Sequence, residues 1–506
     1  MNKNLTSPSL DDSLEDVELI FALVGPIGVD MTAIQGKLKS ALKQMDYTTH
    51  IIHITKVLDG IIDEEKVLKS DKSVNKSDTE MEKKISITSR LCNLTGENAI
   101  LSALAISEII DSRKKLEEKG SKKRAYIIRQ IKRPDELLLL KKVYGKQLVQ
   151  ISATLEKQDR IDNLKRAISK EGKIFEDTEI LNICNKIIQI DENENLKNNS
   201  GQNVRDIYHE ADFFLTAKLN NEISRNLLRF VEALFGKNEI GPTRDEYGSY
   251  LAVAASLRSC DLSRQIGASI MNDDGNILSI GCNEVSKAGG GQYWYDDDYK
   301  SRDIDLNWEG NKDRINQILN DSANRLSEYI YKISGDTLSK DDIVEILSDS
   351  LIGDITEFGR MAHAEMSAIC EAAKLGVSLK NSTMYATTFP CHNCAKHIIA
   401  SGIMRLVFIE PYPKSRALNL YFDSITLSQK DKRKVVFEHF EGISPRRYRD
   451  IFQKSRKRRE KDGSVKEWYE GKPRARVEGI VSDRAGREKH AVENILTKIK
   501  KYEKLK

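Results

Sequence analysis

The chain has 506 residues, a formal net charge of +4, 31% charged residues and seven cysteines. That length holds two to four domains, each with a core of its own. No apolar run reaches the roughly 20 residues of a membrane-spanning helix, MNKNLTSPSL lacks the apolar stretch of a secretory signal, and seven scattered cysteines make no disulfide scaffold. A reducing cytoplasm without a membrane partner is expected.

After a polar tail over 1–16, Glu18–Val24 reads as a buried parallel strand. It runs into Gly25-Pro26-Ile27-Gly28-Val29-Asp30-Met31-Thr32 and then an amphipathic stretch from Ile34 to Leu42. Strand, glycine loop and helix are the context of a phosphate-binding loop, whose amides cradle the anion. The match is incomplete. Counted from Gly25, Asp30 and Met31 stand at the second glycine and the lysine of G-x-x-x-x-G-K-[ST], and only Thr32 keeps its place as a candidate magnesium hydroxyl. Strands are expected again at Thr48–Thr55, Arg124–Ile131 and Leu148–Ala153, with a helix starting near Asp135. This alternation predicts a doubly wound parallel sheet over 17–235. Arg129, Arg133 and Arg160 fall just after strands, where kinase-like folds carry lid arginines; solvated surface arginines are the alternative. The segment resembles the P-loop nucleoside-kinase superfamily. That resemblance implies a nucleoside triphosphate with Mg²⁺ at Gly25–Thr32. Without the lysine, phosphoryl transfer is not expected, which leaves a nucleotide-sensing domain or a structural remnant.

A second domain is expected over 241–445. Residues 241–260 read as a helix with Thr243 and Glu246 as a capping box. A hairpin follows, Gln265–Ile270 and Ile277–Cys282, turning through Asn272-Asp273-Asp274-Gly275. Ile315, Ile318, Leu319, Leu326 and Ile330 recur at helical spacing in an insertion over about 305–357, where core packing or assembly would use them. Strands at Thr383–Thr387 and Leu406–Glu410 complete the domain. The order helix, two strands, helix, strand, helix, strand is that of the cytidine deaminase fold.

Within this domain lie His363-Ala364-Glu365 and Pro390-Cys391-His392-Asn393-Cys394, the H-x-E…P-C-x-x-C arrangement of zinc deaminases of nucleobases. His363, Cys391 and Cys394 supply three protein ligands for Zn²⁺, which leaves the fourth position for water as in catalytic sites. Pro390 can open a helix whose first turn presents both cysteines, and Gly402 reads as its stop. His363 and Glu365 can serve one site only at the start of a second helix, because residues two apart diverge by roughly 200° in mid-helix. Glu365 is then placed to move protons. A structural zinc clip closed by Cys370, His392 or His397 is the competing arrangement.

Several stretches resemble one family, the bacterial anti-phage dCTP deaminases: Gly201–Asp206, Leu262–Gly267, Asn283–Gly291, Phe358–Met366, Thr387–Cys394 and Glu410–Ser415. The resemblance implies zinc-dependent conversion of dCTP and dCMP to dUTP and dUMP, loss of phage DNA synthesis, and in some members inhibition by a small RNA. Glu365 is expected to take the water proton and pass protons to N3 and the departing amine, while hydroxide attacks C4. Asn283 follows the hairpin where related deaminases hold the sugar hydroxyl. Lys287, Lys414 and the amides of Gly289–Gly291 are candidate phosphate donors. A homo-oligomer is expected. Residues 446–506 form a basic extension with 21 Lys/Arg against 10 Asp/Glu, which follows Pro445 and includes Arg446–Arg449 and Arg456–Arg459. That extension is a candidate RNA contact or a solvated helix face. An editing deaminase acting on RNA or single-stranded DNA, or a sensor with structural zinc, would also carry these motifs.

Overall fold

The computed structural model describes residues 17–58, 79–118, 123–171, 175–192, 194, 200–218, 221–335, 337–355, 357–428, 431, 433–454, 458–468, 473–477 and 483–504. The polar tail and, in the basic extension, Arg456 and Lys457 lie outside them. The chain divides into two compact units, Met1–Pro242 with Glu441–Lys506, and Thr243–Phe440.

In the first unit, β1 (Leu19–Val24), β2 (Thr48–His53), β3 (Arg124–Ile131), β4 (Leu148–Thr154) and β5 (Phe213–Thr216) run parallel in the order β5-β4-β1-β3-β2. Gly442–Ile443 adds an antiparallel edge to β5. All six residues of β1 are buried because helices cover both faces of the sheet. Phe21 and Leu23 pack with Ile34, Leu38 and Phe230 on one side. Ile20 and Ala22 pack with Leu104, Ile128 and Tyr144 on the other. The composition of β5 and of the Gly442 edge gives too short a pattern to reveal either strand in advance.

Part of the basic extension is built into this unit. The helix Arg484–Lys504 inserts Ala491 and Ile495 into the second of those clusters. Arg113 donates to Glu488 at 2.8 and 2.7 Å and pairs with Glu18, which also receives Arg484 at 2.9 Å. Arg447 is 8% exposed and donates to Asp212 and to the Leu148 carbonyl. Removing one partner of such a buried pair costs about 3–5 kcal/mol, so these charges hold the fold together.

The second unit is also built on a sheet, formed by β6 (Gly267–Met271), β7 (Ile277–Cys282), β10 (Thr383–Thr388), β11 (Arg405–Glu410), β12 (Ile425–Thr426) and β13 (Val435–His439). Its order is β12-β13-β11-β10-β6-β7, with β6 antiparallel to β7 and β10 and the remaining neighbours parallel. A separate pair joins β8 (Glu284–Val285) to β9 (Met361–Ala362). The helix Arg244–Ser256 carries the expected Thr243–Glu246 capping box. The insertion forms the helices Gly310–Ser334 and Lys340–Ser348. Ile315 and Leu319 are buried as core packing requires, but Leu326 is exposed beside Tyr329, Tyr331 and Ile333, so the apolar stripe is covered only along its first half.

Candidate metal centre and active site

Two helix N-termini meet above the end of β10. His363 is the N-cap of the helix Ala364–Lys374, and Cys391 is the N-cap of the helix His392–Ala400. The Cys391 sulfur accepts the Cys394 N–H at 3.4 Å, so the thiol itself caps the helix. Helix formation consequently starts at His392, two residues later than the proline suggests. Pro390 precedes the cap, where its carbonyl accepts the Ser415 hydroxyl at 2.7 Å. Gly402 follows the helix end with φ +81°. The Ala364 helix reaches its position by lying almost on β7. A Cβ on Gly281 would sit 2.5 Å from both the Ala364 carbonyl oxygen and the Ala368 nitrogen.

His363 Nδ1 lies 3.4 Å from the sulfur of Cys391 and 3.4 Å from that of Cys394. All three ligand atoms fall within 4.8 Å of one another. Tetrahedral zinc, with bonds of about 2.3 Å to sulfur and 2.0–2.1 Å to nitrogen, holds such atoms roughly 3.6 Å apart. The donor set therefore fits zinc. Cys370, His392 and His397 do not join the cluster, and His392 Nε2 is engaged with Glu357 at 2.9 Å. Among the described residues the set stays at three ligands, the number that leaves a reactive position. Cys391 is held well below the usual thiol range by its hydrogen bond with Cys394 and then by His363, which favours the thiolate.

Glu365 is the second residue of its helix, 4% exposed, with Oε2 3.4 Å from the Cys394 sulfur. Burial, then the charge of Cys391, raises its carboxyl pKa. A carboxyl so placed can hold a proton and release it. His363, Glu365 and Cys391 line a cavity of about 240 Å³ whose far walls include Thr388, Phe389 and Tyr412. Its rim carries Asp261, Arg264, Asp303 and Glu309, none of which the motif spacing singles out. Arg264 is the cation of the wall and is ion-paired with Glu410.

The other candidate substrate contacts fare differently. Asn283 lines the same cavity, but its amide is spent on the opposite loop, accepting from Ile266 N and donating to the Arg264 carbonyl, both at 2.7 Å. Lys287 is paired with Asp297 at 2.9 Å and neither it nor Lys414 lines the cavity. Gly289, Gly290 and Gly291 all adopt positive φ in a turn closed by Lys287.

In the first unit, four amides of the loop Gly25–Thr32 are engaged internally and are not offered to a phosphate. Ile27 N–H donates to Asp191 at 2.7 Å, and the Asp30 carboxylate caps its helix by accepting from Thr32 and Ala33 at 3.0 Å each. Val29 and Met31 N–H bond within the loop. Met31, where a phosphate loop carries lysine, is fully buried in the core, and Thr32 is exposed. Arg133 and Arg160 are not lid arginines. Arg133 is 1% exposed on Glu136 and the Ser200 carbonyl, and Arg160 holds the Ile27 carbonyl and Glu192. Arg129 lines a cavity beside the loop.

Residues 242–410 match the model of the cytidine and deoxycytidylate deaminase zinc-binding region. The deoxycytidylate deaminase of Enterobacteria phage T4 is 50% identical over 54 residues, 11% of this chain and 28% of that protein. The human deoxycytidylate deaminase is 26% identical over 164 residues, 32% of this chain and 63% of that protein. The chain thus spans less than a third of the length of the phage relatives. Among solved structures, the dCMP deaminase of cyanophage S-TIM5 in complex with dCMP and dUMP is 16% identical, with a TM-score of 0.24, covering 40% of this chain and 99% of that one. The second unit carries a deaminase zinc-binding region on a mixed α/β scaffold, and its three ligands and Glu365 fall inside the matched span. No described helix is long and apolar enough to cross a membrane.

Proposed function

We propose that the second unit hydrolytically deaminates a free deoxycytidine nucleotide, replacing the C4 amino group of cytosine with oxygen from water and releasing ammonia. The observation that carries this is the three-ligand triangle of His363, Cys391 and Cys394, with buried Glu365 against it at the wall of one small cavity. Zinc, when bound there, supplies a Lewis acid that lowers the pKa of a coordinated water. Glu365 accepts a proton from the attacking water and passes it to ring N3, then accepts a second from the new C4 hydroxyl and passes it to the leaving amine, so that the carboxyl ends as it began. The raised pKa of Glu365 suits a group that must carry the proton between two acceptors. Phe389 and Thr388 form the inner wall on which the base would rest, and Asn283 fixes the loop that carries Arg264, the nearest cation for a 5′-phosphate.

Both dCMP and dCTP are proposed substrates, and depletion of dCTP as defence against phage is the proposed consequence. The supporting observations are the match of residues 242–410 and the family stretches quoted from the sequence. Repression by a small RNA and assembly into a homo-oligomer belong to the same reading, with exposed Arg449, Arg458 and Arg459 as candidate RNA contacts. The test supplies dCMP, dCTP, CTP and a cytosine-containing oligonucleotide to the zinc-loaded protein, with and without cellular RNA. Uracil is expected in the free deoxynucleotides; uracil formed only in the oligonucleotide would overturn the proposal.

A further inference from the structure

The insertion of the second unit supplies a stretch of the active-site wall that the zinc motif does not call for. Its two ends meet at the mouth of the cavity. Asp303, Glu309 and Asn311 line the cavity on the way in, and Gly359 and Met361 on the way out. The ends are tied together. Asn311 donates its amide to the Ile355 carbonyl at 2.9 Å and accepts the Phe358 N–H at 3.1 Å. Arg360 donates to Asp303 at 3.2 Å and to the Ser301 carbonyl at 3.1 Å. Gly310 lets the two ends pass closely, because a Cβ there would sit 3.1 Å from the Trp308 ring and 3.6 Å from the Phe358 carbonyl oxygen. The insertion thus forms a collar at the mouth. Glu309 is held in it between anchored neighbours, Asn311 on one side and Trp308, whose N–H donates to the Asp303 carbonyl at 3.1 Å, on the other.

Besides Glu365, three carboxylates line this cavity. Asp261 accepts the N–H groups of Ser263 and Arg264 at 2.6 and 3.1 Å, and Asp303 holds Arg360. The Glu309 side chain has no hydrogen-bonded or ion-paired partner among the described residues. Glu309 is the N-cap of the helix Gly310–Ser334, yet its carboxylate accepts from none of that helix's amides. A free carboxylate accepts hydrogen bonds, donates none and repels another anion. Arg264, on a separate stretch of the wall, does the reverse. Charge therefore orients a nucleotide whose C4 faces the ligand triangle, with its 5′-phosphate toward Arg264 and a hydroxyl toward Glu309. A 2′-deoxynucleoside 5′-phosphate has one free hydroxyl, at C3′. An internal residue of a polynucleotide carries a phosphodiester there instead. At about 240 Å³ the cavity also falls below the roughly 300–1,000 Å³ of most ligand pockets, which leaves little room for flanking nucleotides.

We propose, on the deaminase reading of this cavity, that Glu309 is a specificity-determining residue: it accepts the free 3′-hydroxyl of a deoxycytidine nucleotide and repels a 3′-phosphate. The collar then admits free nucleotides and turns polynucleotides away. Rejection works through charge, since a 3′-phosphate brings an anion against an unpaired carboxylate. A ligand without the hydroxyl is rejected as well, because it leaves that carboxylate without a donor.

Titration calorimetry of the full-length, zinc-loaded Glu365→Gln protein, which cannot turn over a cytosine ligand, tests this with dCMP, 2′,3′-dideoxycytidine 5′-monophosphate and deoxycytidine 3′,5′-bisphosphate. dCMP is expected to bind at least about tenfold more tightly than either analogue. Adding Glu309→Gln removes the charge but keeps an acceptor oxygen, so the preference over the bisphosphate is expected to fall to about threefold or less. Adding Glu309→Ala removes the acceptor, and dCMP and its dideoxy analogue should then bind alike. Glu309 is only partly buried and its side chain supports no other residue, so both variants should keep the zinc content and thermal midpoint of their parent. Failure of dCMP to bind, equal binding of dCMP and the bisphosphate to the Glu365→Gln protein, or a preference unchanged by Glu309→Gln would each overturn the proposal. Deamination of dCMP and dCTP by the wild-type protein is assayed separately. Its absence would sink the deaminase reading, whereas the binding ratios judge Glu309 alone.

Discussion

Replacing Glu365 with Gln removes proton transfer and little else. The side chain is 4% exposed and its neighbours are the Cys394 sulfur and the cavity wall, so an amide of the same shape keeps the packing. A positioned general acid–base group contributes about 10²–10⁴ in rate, which is about 3–5 kcal/mol of barrier. The variant is therefore expected to lose at least a hundredfold in kcat for dCMP while KM changes little. Stability should hold or rise, because the buried carboxylate, whose pKa burial raises, is replaced by a group with no charge to desolvate. Zinc per chain, measured by mass spectrometry, should stay at the wild-type value, since Glu365 is not one of the three clustered ligands. Ammonia release and the thermal midpoint complete the set. Activity within fivefold of wild type with zinc retained would refute the acid–base role. Zinc lost in step with activity would show instead that Glu365 helps hold the metal.

Cys391→Ser removes a thiolate that is both ligand and helix cap, and is expected to abolish zinc retention and lower the thermal midpoint of the second unit. Gly28→Ala forces a Cβ to 2.8 Å from the Arg160 carbonyl oxygen at φ +93°, which should cost about 1–3 kcal/mol in urea unfolding while zinc content is unchanged. His439 is held at about 4 by burial, below its unfolded value of about 6.5. The unfolded chain therefore takes up the proton first. Stability is complete above pH 6.5 and falls as the pH drops from there toward 4, by up to about 3 kcal/mol. Thermal midpoints at pH 7 and 5 should differ more in the wild type than in His439→Gln, and equal differences would exclude this histidine as the cause.

The parallel strands of the first unit and the hairpin of the second were legible because each is a run of apolar residues bounded by turn formers. Arg124–Ile131 and Ile277–Cys282 begin and end where the pattern places them. Phe213–Thr216 and Gly442–Ile443 were not legible, since two to four residues carry no period and only their sheet neighbours make them strands. The same holds for the basic extension. As sequence it is a charge run, yet Arg447 and Arg484 are committed to Asp212 and Glu18, which lie far away along the chain.

Residue type and spacing alone determined the chemistry of the metal centre. One imidazole, two thiols three apart and a carboxyl two residues from the histidine admit few other uses, because metal–ligand bonds and helix geometry are local and stereotyped. Tertiary structure decided which polar groups remain available. Asn283, Lys287, Arg133 and the amides of Ile27, Val29, Met31 and Thr32 have the right chemistry for substrate or phosphate, and the fold engages them internally. Arg264 and Gln202 lie in stretches that carry the family resemblance without a role of their own, Gln130 lies in none, and the fold brings all three to cavities. Hydrogen-bond satisfaction depends on partners distant in sequence, so only the folded chain shows which donors and acceptors are left for a ligand.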